Sequence, residues 1–211
     1  MDYICIQIKC NMRKYVLAIL LFFVMLPVSG LTRRALLVGI SDYPTNKMVR
    51  EASWGTIHGT NDIKLIRNTL KTQGFKITTL SNSNATASKI RKALNILQSE
   101  AKAGDSIYIH FSCHGQPVED LNGDEQDGWN EALVPYDAWK MPIKGIYEGK
   151  NHIIDDELNV IIGKIRKKVG ASGFVYIVID ACHAGGIDRG EEEDYLRGTT
   201  SGFSLSSKSY V

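Results

Sequence analysis

Two apolar runs limit what this chain can become. Ser106-Ile107-Tyr108-Ile109-His110-Phe111-Ser112-Cys113 delivers His114-Gly115, and Phe174-Val175-Tyr176-Ile177-Val178-Ile179-Asp180-Ala181 delivers Cys182-His183-Ala184-Gly185-Gly186. Short continuous runs rich in Val and Ile read as strands covered on both faces. If the two are parallel, an imidazole and a thiol leave the same edge of one sheet. A cysteine nucleophile and its acid–base partner need that arrangement.

The rest of the chain alternates strand and helix patterns. Residues 35–40 form another short apolar run, and 75–80 read as a strand. Residues 61–71 carry Ile63, Ile66 and Leu70 at helical spacing, closed by Gly74. Thr86 or Asn84 caps a helix reaching to about Ala103, with Ile90, Leu94 and Leu97 on one face. Residues 116–131 read as a polar loop, and 132–135 as a brief extended piece. Asp155 or Asp156 is expected to cap a helix that ends in Lys164-Ile165-Arg166-Lys167-Lys168, with Gly170 closing it. This order predicts an α/β fold: a mainly parallel sheet with helices on both faces. In such sheets ligands gather beyond the carboxyl ends of the strands, where His114 and Cys182 fall.

A chain of 211 residues, 44% hydrophobic, holds one packed domain. A net charge of +2 without a basic block gives nucleic-acid binding no electrostatic support. Residues 1–30 have the build of a secretory signal peptide. A basic segment from Met12 precedes the apolar stretch 15–26 and the small-residue end Pro27-Val28-Ser29-Gly30. The expectation is a secreted or periplasmic protein with no stable membrane association after signal cleavage, or a membrane-anchored one if the signal is kept. Cys5 and Cys10 would leave with the signal. Cys113 and Cys182 make no disulfide framework. Cys113 reads as a small filler beside His114; a bridge to Cys182 would silence the nucleophile.

A free thiol, with a pKa of about 8.5, is mostly protonated near neutrality, so a neighbouring imidazole is what activates it. The glycines after each residue let a substrate backbone approach closely, and the amides of Gly115 and Cys182 could serve as oxyanion donors. His183 follows the thiol directly and points away from it along an extended backbone. His58, His110 and His152 read as core or surface residues.

Several segments together resemble the caspase-like cysteine peptidases, most nearly the metacaspases. They are Ala35-Leu36-Leu37-Val38-Gly39-Ile40-Ser41-Asp42-Tyr43, Gly59-Thr60-Asn61-Asp62, His110-Phe111-Ser112-Cys113-His114-Gly115-Gln116, Asp120-Leu121-Asn122-Gly123-Asp124-Glu125-Gln126-Asp127-Gly128, Leu133-Val134-Pro135-Tyr136-Asp137, Ile154-Asp155-Asp156-Glu157-Leu158 and Asp180-Ala181-Cys182-His183-Ala184-Gly185-Gly186. The resemblance implies a caspase-like three-layer sandwich over residues 31–186, with Cys182 as nucleophile and His114 as acid–base. It also implies cleavage after Arg or Lys, through a pocket of Asp62, Ser112 and Asp180. Two carboxylates suit a guanidinium or an ammonium and repel an acidic side chain.

The resemblance further implies Asp155 and Asp156 as calcium ligands, with Asn130 where an Asp is usual and Asp188 near a fourth position. Oxygen ligands of this kind suit Ca²⁺, which enters as an activator; the cysteine chemistry requires no cofactor. The expected partners are proteins or peptides with a basic residue before the cut. Oligomeric state is left open. Residues 187–211 lose periodicity and read as a flexible loop or tail, with the family's second subdomain expected to be missing. Within the tail, Arg189-Gly190 and Arg197-Gly198 are candidate self-cleavage sites. The alternative function is a non-catalytic caspase-homology module that binds a peptide in the same groove.

Overall fold

A computed structural model describes residues 31–181, 197–199 and 201–206, nearly all within one compact unit, Thr32–Val211. The parallel sheet contains β1 (Arg33–Gly39), β2 (Lys76–Ser81), β3 (Ser106–Ser112) and β7 (Phe174–Asp180), in the order β2-β1-β3-β7. Its central strand β1 is buried from Ala35 onward. Leu36 and Val38 belong to the main core with Ile90, Leu94 and Leu97 of α2 (Ala87–Glu100) and Leu158, Ile161 and Ile165 of α3 (Asp155–Val169). Ala35 and Leu37 pack in a second cluster with Ile63 and Leu70 of α1 (Gly59–Thr72). Alternate residues of one strand thus feed two helical layers, which is why β1 reads as an unbroken apolar run.

Beyond this sheet lies a smaller antiparallel one, β4 (His114–Glu119), β5 (Trp129–Val134) and β6 (Ile153–Ile154), in the order β4-β5-β6. It corrects the reading of residues 116–131 as loop: Gln116 through Glu119 pair with Ala132 through Trp129. The polarity that suggested a loop has other causes. Gln116 is fully buried with its amide hydrogen-bonded, and apart from Glu131 of β5 the exposed residues lie in the turn. In that turn Asp120 accepts from the amides of Asn122, Gly123 and Glu125.

The helix ends also differ from expectation. Thr86 caps α2 by accepting from the Lys89 amide, but α2 stops at Glu100 rather than near Ala103. Ile154, not an Asp, is the N-cap of α3; Asp155 and Asp156 stand in its first turn, where their charge favours the helix dipole. Gly170 ends α3 at φ 66°, a left-handed conformation suited to glycine. Within the stretch read as a loose tail, residues 197–199 and 201–206 run beside β4, with parallel bridges Gly115–Gly198 and Val118–Phe203. Among the described residues no helix is long and apolar enough to cross a membrane.

Candidate active site

The parallel register brings the chemistry-bearing ends together. Ser112 of β3 lies opposite Asp180 of β7, and the Cys113 amide donates to the Asp180 carbonyl at 3.3 Å. His114 and Cys182 each follow that pair by two residues in sequence. Cys182 itself, with His183, Asp188 and Arg189-Gly190, lies outside the described residues, as does the expected signal segment.

His114 is held from all sides. Its amide donates to the Tyr43 hydroxyl at 3.0 Å, and that hydroxyl donates to the Val134 carbonyl at 2.9 Å. Its ring stacks on Trp54, with centroids 4.8 Å apart, and the Trp54 indole donates to the Ala138 carbonyl. Nε2 lies 2.9 Å from the Gly55 carbonyl oxygen, which can only accept, so Nε2 carries the proton and Nδ1 keeps the lone pair. Nδ1 is buried without a hydrogen-bond partner. Burial lowers the His114 pKa below 6.5, against the opposing pull of the Gly55 carbonyl. The ring is therefore a neutral base at pH 7 with one nitrogen free. Cys113, by contrast, is buried in the main core, and desolvation pushes its thiol up to about 12. It stays protonated, the filler role expected of it.

The three residues expected to form a pocket, Asp62, Ser112 and Asp180, meet around one guanidinium. Asp62 stands in the first turn of α1, which presses on the strand ends because Gly59 has no side chain. A Cβ on Gly59 would lie 2.2 Å from the Ser112 carbonyl oxygen and 2.6 Å from that of Ile40. The Ser112 hydroxyl donates to Asp62 Oδ2 at 2.8 Å. Arg197 then donates through one terminal nitrogen to Asp62 Oδ2 at 2.7 Å. Its other terminal nitrogen meets Asp180 Oδ2 at 2.8 Å and the Ser112 hydroxyl. Partial burial alone would raise the Asp62 pKa; hydrogen bonds from Arg197 and Ser112 outweigh it and hold the carboxyl below its usual value. The carbonyl of the same Arg197 accepts the Gly115 amide at 2.9 Å.

The caspase-domain family model matches residues 32–208. The chain belongs to the caspase-domain family, peptidase family C14. Metacaspase-1 of Eremothecium gossypii is 32% identical over 163 residues, which is 72% of this chain and 32% of that protein. Metacaspase-3 of Arabidopsis thaliana is 42% identical over 100 residues, 47% of this chain and 24% of that protein. A crystal structure of a Geobacter sulfurreducens protein superposes with a TM-score of 0.57 at 26% identity, covering 74% of this chain and 52% of that one. The chain spans about a third or less of the length of these metacaspases.

In this caspase domain the residues expected to bind calcium differ in their surroundings, and Asp188 lies outside the described residues. Asn130 and Asp155 each bury an Oδ1 that has no hydrogen-bond partner. Orphaned oxygens of this kind fit a hard cation. Asp156 accepts instead from Asn122 at 3.4 Å. Among the described residues no group of three or more His, Cys, Asp or Glu side chains could hold a metal. Tyr43, Trp54 and Gly55 orient His114, and no local sequence pattern marks them for a site role. Gly55 acts through a backbone carbonyl, which every residue type has, so its identity carries no signal.

Proposed function

We propose that this caspase domain is a cysteine endopeptidase that cuts after Arg, and less well after Lys, and that Arg197–Gly198 is its own first target. The carrying observation is the double hold on Arg197: its guanidinium between Asp62, Ser112 and Asp180, and its carbonyl on the Gly115 amide. In this reading His114 Nδ1 takes the proton of Cys182, and the sulfur attacks the carbonyl carbon of Arg197. The negative charge gathering on the carbonyl oxygen meets the Gly115 N–H, with the Cys182 amide as the second donor. The imidazolium returns the proton to the Gly198 nitrogen as the C–N bond breaks, leaving a thioester that water hydrolyses. Arg spans both carboxylates with a planar fork, whereas a single ammonium reaches fewer of the acceptors, hence the order Arg over Lys. Asn130 and Asp155 would hold a calcium ion, which would balance negative charge where β5 and α3 approach.

The test uses the purified chain, incubated with and without calcium and analysed by intact mass. A fragment ending at Arg197 is expected, absent from Cys182→Ala and His114→Ala. Fluorogenic peptides ending in Arg should turn over, while those ending in Asp or Asn should not. An intact Arg197–Gly198 bond and no turnover of any peptide, in either condition, would leave a groove that binds peptide without cutting it.

A further inference from the structure

Beyond Arg197–Gly198, Phe203 is held at a second place, by residues other than Asp62, Ser112 and Asp180. Phe203 is 1% exposed. Its ring meets Tyr147 edge-on at 5.7 Å and lies 4.8 Å from the ring of His152. The pocket's third wall is the backbone of Gly149, at φ 83°, where a Cβ would come within 2.7 Å of the Phe203 ring. Both the backbone angle and the close approach require glycine there. On the segment side, a Cβ on Gly202 would lie 2.3 Å from Trp129, so the aromatic residue enters behind a residue without a side chain.

A chain of buried polar groups ties this pocket to the peptide backbone. Gln116 Nε2 donates to the carbonyls of Lys140 at 2.8 Å and Ser201 at 2.9 Å. Its Oε1 therefore accepts from His152 Nε2, at 3.0 Å, while His152 Nδ1 lies 3.0 Å from the Tyr147 hydroxyl and 3.3 Å from the Gly149 carbonyl oxygen. Burial lowers the His152 pKa to about 4, so the ring is neutral and the relay keeps this direction near neutrality. One of its links ends on Ser201, a residue of the docked segment. The Phe203 amide donates to the Pro117 carbonyl at 2.8 Å, and the Glu119 amide to the Phe203 carbonyl at 2.9 Å. The Glu119 carboxylate then accepts from the amides of Leu205 and Ser206.

We propose that the Tyr147–Gly149–His152 pocket is a second recognition subsite of this cleft, taking an aromatic side chain on the sixth residue after the cleaved Arg. Phe203 fills it, so residues 201–206 stay docked after the Arg197–Gly198 bond is cut. Its position as a subsite rests on Arg197–Gly198 being that bond; the pocket itself does not. Extended substrates must then displace a retained strand, whereas short substrates that end at the Arg need not.

The experiment has two arms. In the full chain carrying Cys182→Ala, amide hydrogen exchange is followed at Glu119 and Leu205, with β1 and β3 amides as the measure of an intact fold. Phe203→Ala should speed exchange at Glu119 and Leu205 on the order of 10- to 100-fold, the scale of one buried aromatic side chain, without change in β1 and β3. Arg197→Ala should alter it by only about 3-fold, as expected for sites that do not share partners. Equal loss in both variants, or none with Phe203→Ala, overturns the anchor. In the second arm the active chain is given peptides with one Arg and either Phe or Ala on the sixth residue beyond it. The Phe peptide should show the lower KM with similar kcat; equal KM overturns the subsite. No turnover of any peptide defeats the proposed activity and leaves the exchange arm to decide the pocket.

Discussion

At the residue scale, His114 shows how neighbours define a group. An imidazole has two equivalent ways to carry its proton until something chooses, and the Gly55 carbonyl chooses Nε2. Burial depresses its pKa, so the base form persists below pH 6.5, and the acidic limb of the kcat/KM profile should fall below that value rather than above it. Asp62 and Asp180 hold the same guanidinium from different depths. Asp62→Ala should lower kcat/KM for Arg-ended peptides about 10- to 100-fold, the scale of a charge-assisted hydrogen bond. Asp180 is 47% exposed, so water screens it and Asp180→Ala should cost less. Gly59→Ala forces a Cβ into the Ser112 and Ile40 carbonyls. It should destabilise the domain by about 1–3 kcal/mol, visible as a lower urea midpoint.

At the scale of elements, β4 does two jobs. One edge pairs with β5, and the other carries Gly198 and Phe203 through parallel bridges. That second edge would otherwise present unpaired amides and carbonyls, and a neighbouring peptide satisfies them. Glu119 closes the contact. Hydrogen bonds from the Ser206 hydroxyl and amide and from Ser204 lower its pKa from 4.5 to about 2. A depressed carboxyl pKa means the docked state prefers the ionised form. The contact is therefore complete above about pH 4.5 and weakens as pH falls toward about 2. NMR shifts of the Leu205 and Ser206 amides, followed over that interval, should move together toward undocked values.

At the scale of the whole molecule, three histidines share one condition. His110, His114 and His152 are all buried, and burial lowers the pKa of each. The unfolded chain binds protons at these sites more readily than the folded one, so stability is unpenalised above pH 6.5 and declines as pH falls below it. For His152, from 6.5 to about 4, the penalty approaches roughly 3 kcal/mol at the low end. The thermal midpoint at pH 5 should lie below that at pH 7, and His152→Gln should flatten the dependence. The sheet strands and their helices were legible from apolar periodicity because burying a run of Ile and Val leaves few alternatives. The β4–β5 hairpin was not, because Gln116 is polar in composition and buried in fact. The resemblance pointed to Asp62, Ser112 and Asp180 as a group, but nothing local to Arg197 says that a residue 85 positions beyond Ser112 returns to them. The sequence by itself determined the parallel strands, their helices and the kinds of chemistry available. Only the tertiary structure decided which imidazole nitrogen is free, and that Arg197 and Phe203 each have a pocket. Hydrogen-bond direction and side-chain burial depend on groups far apart in the chain, and local pattern carries no record of them.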